Sequence, residues 1–520
     1  MNKKLKKLPV GIYTLEKIIN ENYLYIDKTN IALDIIENNE YVFLSRPRRF
    51  GKSLFLDTLK NIFEGNSELF KELYIYDKYN WDKKYPVIKI NFANGNIRNR
   101  KELDNRIITI LKENQKKLDV FCSDDKDVAG CFRELIIKSQ EKYNEKVVIL
   151  IDEYDKPILD NITNKESAFE IREGLRNLYS VIKGSDEFLK FAFLTGVSKF
   201  TKTSIFSGLN NITDITLNPK YGNVCGYTQN DIETSFLPYL NGVDLEKLKI
   251  WYNGYNFLKN KVYNPYNILL FIQNNYQYKN YWFESGTPSF LIKLIKENNY
   301  FLPELSDITI GEEIINSFDV DNIKVETLLF QTGYLTIDEV TTTFFETLQY
   351  KLKIPNKEVQ ISLNDKFIDF LTRNNKLIKN KNNTYLSLLE GELETFHKTL
   401  KTLFSSIPYN NYVNNNILHY EGYYSSVIYA YLASLGLTII AEDVTNKGRV
   451  DLTIIINNIV YIFEFKVLKS TPKTNTALNQ IIKNNYHEKY ISKYKDIYLI
   501  GIIFNEDKRN IVKFNSKKIK

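Results

Sequence analysis

YVFLSRPRRFGKSLFLDTL, residues 41–59, runs three signals together without a gap. YVFL is a short apolar run of β-forming residues, SRPRRFGKS closes on Gly51-Lys52-Ser53, and from Ser53 the apolar positions SLFLDTLKNIF recur at helical spacing. A strand that turns through such a loop straight into a helix presents backbone amides to phosphate oxygens, a lysine to the β and γ phosphates, and a hydroxyl to Mg²⁺. Lys52 and Ser53 are expected in the last two roles, with Ser53 a metal ligand. Arg46, Pro47, Arg48, Arg49, Phe50, Gly51 and Leu54 complete the expected nucleotide-contacting loop. Arg46 stands where G-x-x-x-x-G-K-[ST] has its first glycine. It bulks the loop, contacts the nucleotide, or belongs to an ordinary basic turn.

Outward from this loop, strand-like and helix-like runs alternate: VIKINF (87–92), a helix from about Lys101, VVILID (147–152), another helix, and FAFLT (191–195). This pattern predicts a parallel sheet, and its uniformly apolar strands predict helices on both faces. VVILIDEY delivers Asp152 and Glu153 to the strand end where open α/β sheets bind ligands. Asp152 is expected to hold Mg²⁺ and Glu153 to orient the attacking water. Thr195 ends a strand at the place of a γ-phosphate sensor, although it can equally satisfy a strand-end backbone group. Arg48, Arg49, Arg172 and Arg176 all remain open as the source of an arginine finger.

Past Pro219 the pattern changes. Thr228 stands three residues before Asp231, a helix-start signature, and the chain to about Leu400 reads as helices with scattered short strands. A third segment follows: a helix from Glu421 to Leu435, strands LTIIAE and DLTIII, a turn at Asn457-Asn458, strand VYIFEFK, a helix from Asn475 to Tyr490, and strand DIYLIGIIF. Side chains on a strand repeat every two residues, so Glu464 and Lys466 share a face and the hairpin can bring Asp451 beside them. Two carboxylates bind Mg²⁺ against a phosphodiester, while a lysine orients water and offsets phosphate charge. Asp451, Glu464 and Lys466 are the expected catalytic set, with Asp451 and Glu464 as metal ligands. Glu421 is a further candidate metal ligand, and Gln480 follows on the next helix.

The 520 residues exceed what one core usually supports. Seventy basic against 63 acidic side chains give a net charge of +7, which permits a nucleic-acid partner without arguing for one. MNKKLKKL is not followed by a signal-peptide core, and no apolar run nears the roughly 20 residues that span a bilayer, so a cytoplasmic location is expected. Cys122, Cys131, Cys225, His397, His419 and His487 lack zinc spacing; they are expected as packing or surface residues, without a disulfide framework.

With these residues in place, the chain resembles AAA-ATPase-like proteins that carry a C-terminal PD-(D/E)xK nuclease domain. SRPRRFGKSLFLDTL, LPVGIYTLEKIINENYLYIDKT, AFLTGVSKFTKTSIFSGLNNITDITL, WYNGYNF, YWFESGTPSFL and LLFQTGYLTI carry the resemblance over nearly the whole length. The family usually has arginine in place of the first loop glycine. The resemblance implies an α/β chain in three parts: an ASCE/AAA-like P-loop NTPase core (1–225), a helical lid or adaptor (226–400), and a restriction-endonuclease-like α/β domain (401–520). It implies ATP and Mg²⁺ as cofactors, DNA or RNA as partner, and an ATP-regulated nuclease, with a tie to defence or mobile elements by association only. The alternatives are a nucleotide-switched nucleic-acid-binding protein without cleavage and an ATP-binding signalling scaffold. Completion of the ATP site by a neighbouring copy is an expectation by analogy. Asp27-Lys28-Thr29 is a further family signature whose plain reading is a helix cap.

Overall fold

The strand that feeds the loop, β1 (Tyr41–Ser45), is buried at every position in the computed structural model. The structure describes residues 5–200, 211–283, 303, 305, 308–315, 324–372, 377–407 and 421–520. His419 and parts of the 192–217 and 281–291 signatures lie outside them. β1 pairs in parallel with β4 (Leu189–Gly196) and β5 (Thr213–Asp214), while β3 (Val147–Asp152) lies between β4 and β2 (Val87–Asn91), giving the order β2-β3-β4-β1-β5. β3 is buried at all positions, as its unbroken apolar sequence requires when both faces are covered. Because β4 separates β1 from β3, the ends of these three strands align Lys52, Thr195 and Asp152-Glu153 along one sheet edge.

The chain divides into two compact units, Met1–Gly286 with Thr309–Asn356, and Thr287–Ile308 with Lys357–Lys520. The residues expected for the 226–400 adaptor are shared between these two units. In the adaptor's first part Tyr255, Phe257 and Trp282 pack around the Gly51 loop, while Ile232, Phe236, Leu248, Tyr252, Ile268 and Phe271 form a cluster of their own. In its last part, Phe396 packs on Phe463 and Phe514 of the C-terminal sheet. The first unit also holds a short pair, β6 (Tyr227–Thr228) with β7 (Val262–Tyr263), and a sheet of β8 (Ile308–Gly311), β9 (Thr336–Thr342) and β10 (Leu348–Lys353) in the order β8-β10-β9. The Thr228–Asp231 signature forms a full capping box. Asp231 also pairs with Lys28 at 3.0 Å, and Asp27 accepts from Thr29 and Tyr74 amides at 2.8 and 2.7 Å, so the DKT signature is a local cap and clasp.

In the second unit, β11 (Thr438–Thr445), β12 (Gly448–Ile456), β13 (Ile459–Leu468), β14 (Asp496–Asn505) and β15 (Asn510–Lys518) lie in sequence order. Only the β13–β14 pair is parallel, its crossover being the helix Thr476–Asn484. Asn457 takes φ 50° in the β12–β13 turn, as the Asn-Asn pair leads one to expect. The helix expected to run to Tyr490 ends sooner, because Asn485 adopts the left-handed conformation and a 3-10 turn follows. β15 was not expected: NIVKFNSKK carries the polar, lysine-rich character of an edge strand instead of a buried run.

The cysteine expectation needs a correction. Cys122 and Cys131 are disulfide-bonded, with Cα atoms 5.2 Å apart, while Cys225 is buried and free. The segment after helix Arg100–Leu118 folds back over the start of helix Val128–Tyr143, where Gln115 accepts from the Cys122 amide and donates to Asp125. Linear spacing does not reveal such a return. Among the described residues, no helix is long and apolar enough to cross a membrane.

Candidate functional site

Each unit contributes a cluster. In the first, Gly51 (φ 97°) and Arg49 (φ 67°) turn the loop through left-handed geometry before helix Lys52–Phe63 begins. Alternating backbone hand makes a concavity of amides suited to an anion. A Cβ on Gly51 would touch nothing within 4 Å, so conformation alone demands glycine there. Lys52 is buried and donates to the carbonyls of Arg46 (2.8 Å) and Pro47 (3.0 Å). Burial pushes its ammonium below the ordinary lysine range, opposed by Asp152, Glu153 and Asp155. These carbonyl bonds are the kind a phosphate can displace.

The Arg46 side chain is held by the protein itself. Its guanidinium is buried, donates to the carbonyls of Ser45 and Thr216 at 2.8 Å and Tyr221 at 3.4 Å, and lies 3.9 Å over the Phe257 ring. Burial brings its pKa down to about 10. The side chain thus braces the loop from the protein side, and only its carbonyl meets Lys52. Phe50 is also turned inward, edge-on to Tyr255 (4.8 Å) and Phe257 (5.9 Å). Pro47 is buried against Gly333, where a Cβ would come within 2.8 Å of the proline ring. Trp282 and Asn264 donate to the Arg48 carbonyl at 3.1 and 3.3 Å. Arg48 and Arg49 are exposed, Arg49 lying 4.8 Å over Tyr266. Ser53 and Leu54 sit half-buried on the first helical turn. Tyr255, Phe257 and Trp282 thus form the back of the Gly51 loop.

Across the sheet edge, Asp152 is buried and accepts from the Glu153 amide at 3.0 Å. Glu153 takes φ 51°, and burial, then Asp152, raise its carboxyl above the ordinary range, opposed by Lys52 and Arg48. Such strain in a non-glycine residue concentrates at functional positions. Thr195 donates to the Leu44 carbonyl at 2.8 Å, so its hydroxyl satisfies a strand backbone group. Arg172 and Arg176 each lie 3.6 Å from Glu173. Sequence reasoning missed Asp155: fully buried, it accepts from Val197 (3.0 Å) and Ser198 (2.5 Å) amides, and burial lifts its pKa to about 6. It ties the chain leaving β4 to the end of β3. The repeated acid in DEYD was its signal.

In the second unit, Leu452 pairs with Phe463, which sets Asp451 and Glu464 next to each other at the end of the β12–β13 ladder. Asp451 accepts from the Phe465 amide at 2.6 Å. Lys466 donates to Glu464 and to Glu421 at 3.2 Å each, and Gln480 donates to Glu464. All the residues expected for this site come together. Burial, then Asp451, push the Glu464 pKa up to about 8, and burial lifts Asp451 to about 6. The carboxylates outweigh burial at Lys466 and hold its ammonium above the usual range.

The donors suit a hard divalent cation: carboxylate oxygens only, with Glu464 Oε2 buried and unbonded beside Asp451. Among the described residues, Glu421, Asp451 and Glu464 do not all converge within 4.8 Å. A bound ion would be held first by Asp451 and Glu464. This gives a pH prediction. The two raised pKa values mean the metal-free fold keeps protons that the unfolded chain releases; the stability they add is full below the ordinary carboxylate range and is lost as pH rises through about 6 and about 8. Protons and Mg²⁺ compete for the same oxygens. The Mg²⁺-induced rise in Tm is thus expected to grow from about pH 6 to about pH 8, and Glu464→Gln to flatten the upper part. A pH-independent Mg²⁺ shift would contradict it.

Comparison with known proteins agrees with this division. A family model described as Predicted AAA-ATPase matches residues 9–206, and one described as PD-(D/E)XK nuclease superfamily matches residues 419–514. A protein of Azotobacter chroococcum mcd 1, described as an uncharacterized protein in the vnfD 5′ region, is 44% identical over 511 residues, 98% of each chain.

Proposed function

The chain belongs to the predicted AAA-ATPase family, with a C-terminal domain of the PD-(D/E)XK nuclease superfamily, and from this premise we propose an ATP-hydrolysing protein whose nucleotide state governs Mg²⁺-dependent cleavage of DNA or RNA. With ATP and Mg²⁺ bound, Lys52 would pair with phosphate oxygens in place of its loop carbonyls, Ser53 and Asp152 would hold the ion, and Glu153 would orient the attacking water. Arg46 braces the loop without touching the nucleotide. In the second unit, Asp451 and Glu464 would hold Mg²⁺, which would supply charge stabilisation at the scissile phosphate. Lys466 faces the same phosphate and is placed to orient the water, while Gln480 and Glu421 fix Glu464 and Lys466. The observation that carries this reading is the single cluster of Asp451, Glu464 and Lys466, with the Glu464 oxygen left unbonded.

The test incubates purified protein with Mg²⁺ and labelled single- and double-stranded DNA and RNA, with and without ATP. Cleavage of at least one substrate is expected, at a rate changed by ATP and abolished by EDTA. ATP hydrolysis with no cleavage of any substrate would replace this reading with a nucleotide-switched binding protein.

A further inference from the structure

The sheet face that carries Asp451 and Glu464 continues onto β11. Ala441 pairs with Leu452 and Asp443 with Val450, so Glu442 stands directly across from Asp451. Opposite residues of an antiparallel pair share a face. Glu442, Asp451 and Glu464 thus form a row across three strands, and Glu442 is among the charges that act on Asp451. Glu442 interrupts its ladder in the left-handed conformation, φ 53°, a costly choice for a residue with a side chain. Its carboxylate is committed to the Arg449 guanidinium. Arg449 is two residues before Asp451, hence on the same face, and its side chain is 67% exposed. A solvated surface arginine needs neither a strained partner nor a place beside a carboxylate row.

We infer that Arg449 is the phosphate-binding residue of the nuclease site, seating a backbone phosphate of the nucleic acid next to the one held between Asp451, Glu464 and Lys466, with Glu442 storing the guanidinium at the rim until substrate arrives. This rests on the nuclease reading. A guanidinium suits the role because its planar fork matches phosphate oxygens and its charge is permanent. The row of carboxylates would otherwise repel a polyanion along its whole length. An arginine at the β11 side supplies the compensating charge there, as Lys466 does at the β13 side. Arg449 can leave the pair at little cost to itself, whereas the Glu442 oxygen it leaves is buried, so only a phosphate contact that outweighs that cost draws the guanidinium away.

The experiment measures binding of labelled DNA and RNA oligonucleotides to the full chain by anisotropy across a salt series, with Ca²⁺ in place of Mg²⁺, beside cleavage kinetics in Mg²⁺. Arg449→Ala is expected to weaken binding about tenfold, to act mainly through KM, and to reduce the salt slope by about 1. Arg449→Lys recovers part of the loss, and Glu442→Gln, which frees the guanidinium, leaves binding equal or tighter. Wild-type binding and salt slope in Arg449→Ala would overturn the inference while leaving the nuclease intact. So would a loss in kcat alone, or a Glu442→Gln variant as weak as Arg449→Ala. A wild-type chain that neither binds nor cuts any oligonucleotide would remove the nuclease reading itself, and this inference with it.

Discussion

Lys52→Ala is expected to lower ATP turnover by at least about 100-fold, the range seen when a preorganised charge-stabilising donor is removed from a reaction centre. Lys52 opens the helix immediately after Gly51, and its ammonium already lies over the loop on the Arg46 and Pro47 carbonyls. The cost to the fold should be modest. The substitution frees two loop carbonyls and removes a charge that burial disfavours, so the penalty is about 1–2 kcal/mol, a few degrees in Tm. Steady-state ATP hydrolysis and a thermal melt measured on the same preparation check both parts. Wild-type turnover would refute the nucleotide site, whereas a large loss of Tm would mean that the lysine is a structural brace.

Much of this arrangement was legible because local sequence and fold agree. The apolar runs of β1, β3 and β4 fit buried parallel strands, and GKS fits a turn that joins such a strand to a helix. On the nuclease side, the two-residue period alone put Glu464 and Lys466 on one face. What escaped was long-range. Arg46 was readable as a departure from the loop pattern, but its partners Thr216, Tyr221 and Phe257 come from segments at least 170 positions away, and nothing local announces them. Thr195 offered two bonding roles, and only its strand register against β1 selects the Leu44 carbonyl. The Cys122–Cys131 bond depends on a chain reversal steered by Gln115, a residue with no periodic signal. WYNGYNF divides between two environments that only packing reveals: Tyr252 joins the cluster of Phe271 and Tyr281, while Tyr255 and Phe257 pack on Phe50 behind the Gly51 loop, and at Gly254, where φ is 122°, any Cβ would strike the Pro355 carbonyl.

The same packing bears on how far the two chemistries can be separated. Asp451→Ala is expected to reduce cleavage by roughly 1,000-fold or more, because it removes one of the two carboxylates that hold the metal against the phosphodiester. ATP hydrolysis should persist, since Asp451 and Lys52 belong to different compact units. Asp451 also accepts the Phe465 amide, so alanine leaves that donor unpaired at a cost of about 1–3 kcal/mol. Asp451→Asn keeps an acceptor oxygen while halving the metal-binding capacity of the side chain, and should lose cleavage with a smaller change in Tm. Lys466→Ala should lose cleavage as well, but through a different route: with the ammonium gone, Glu421 and Glu464 face each other uncompensated. Parallel assays of cleavage, ATP turnover and melting on all three variants decide the matter. Asp451→Asn cutting at the wild-type rate would place the nuclease centre elsewhere, and a folded variant that loses both activities would show that the ATP site depends on the carboxylate cluster it does not contain.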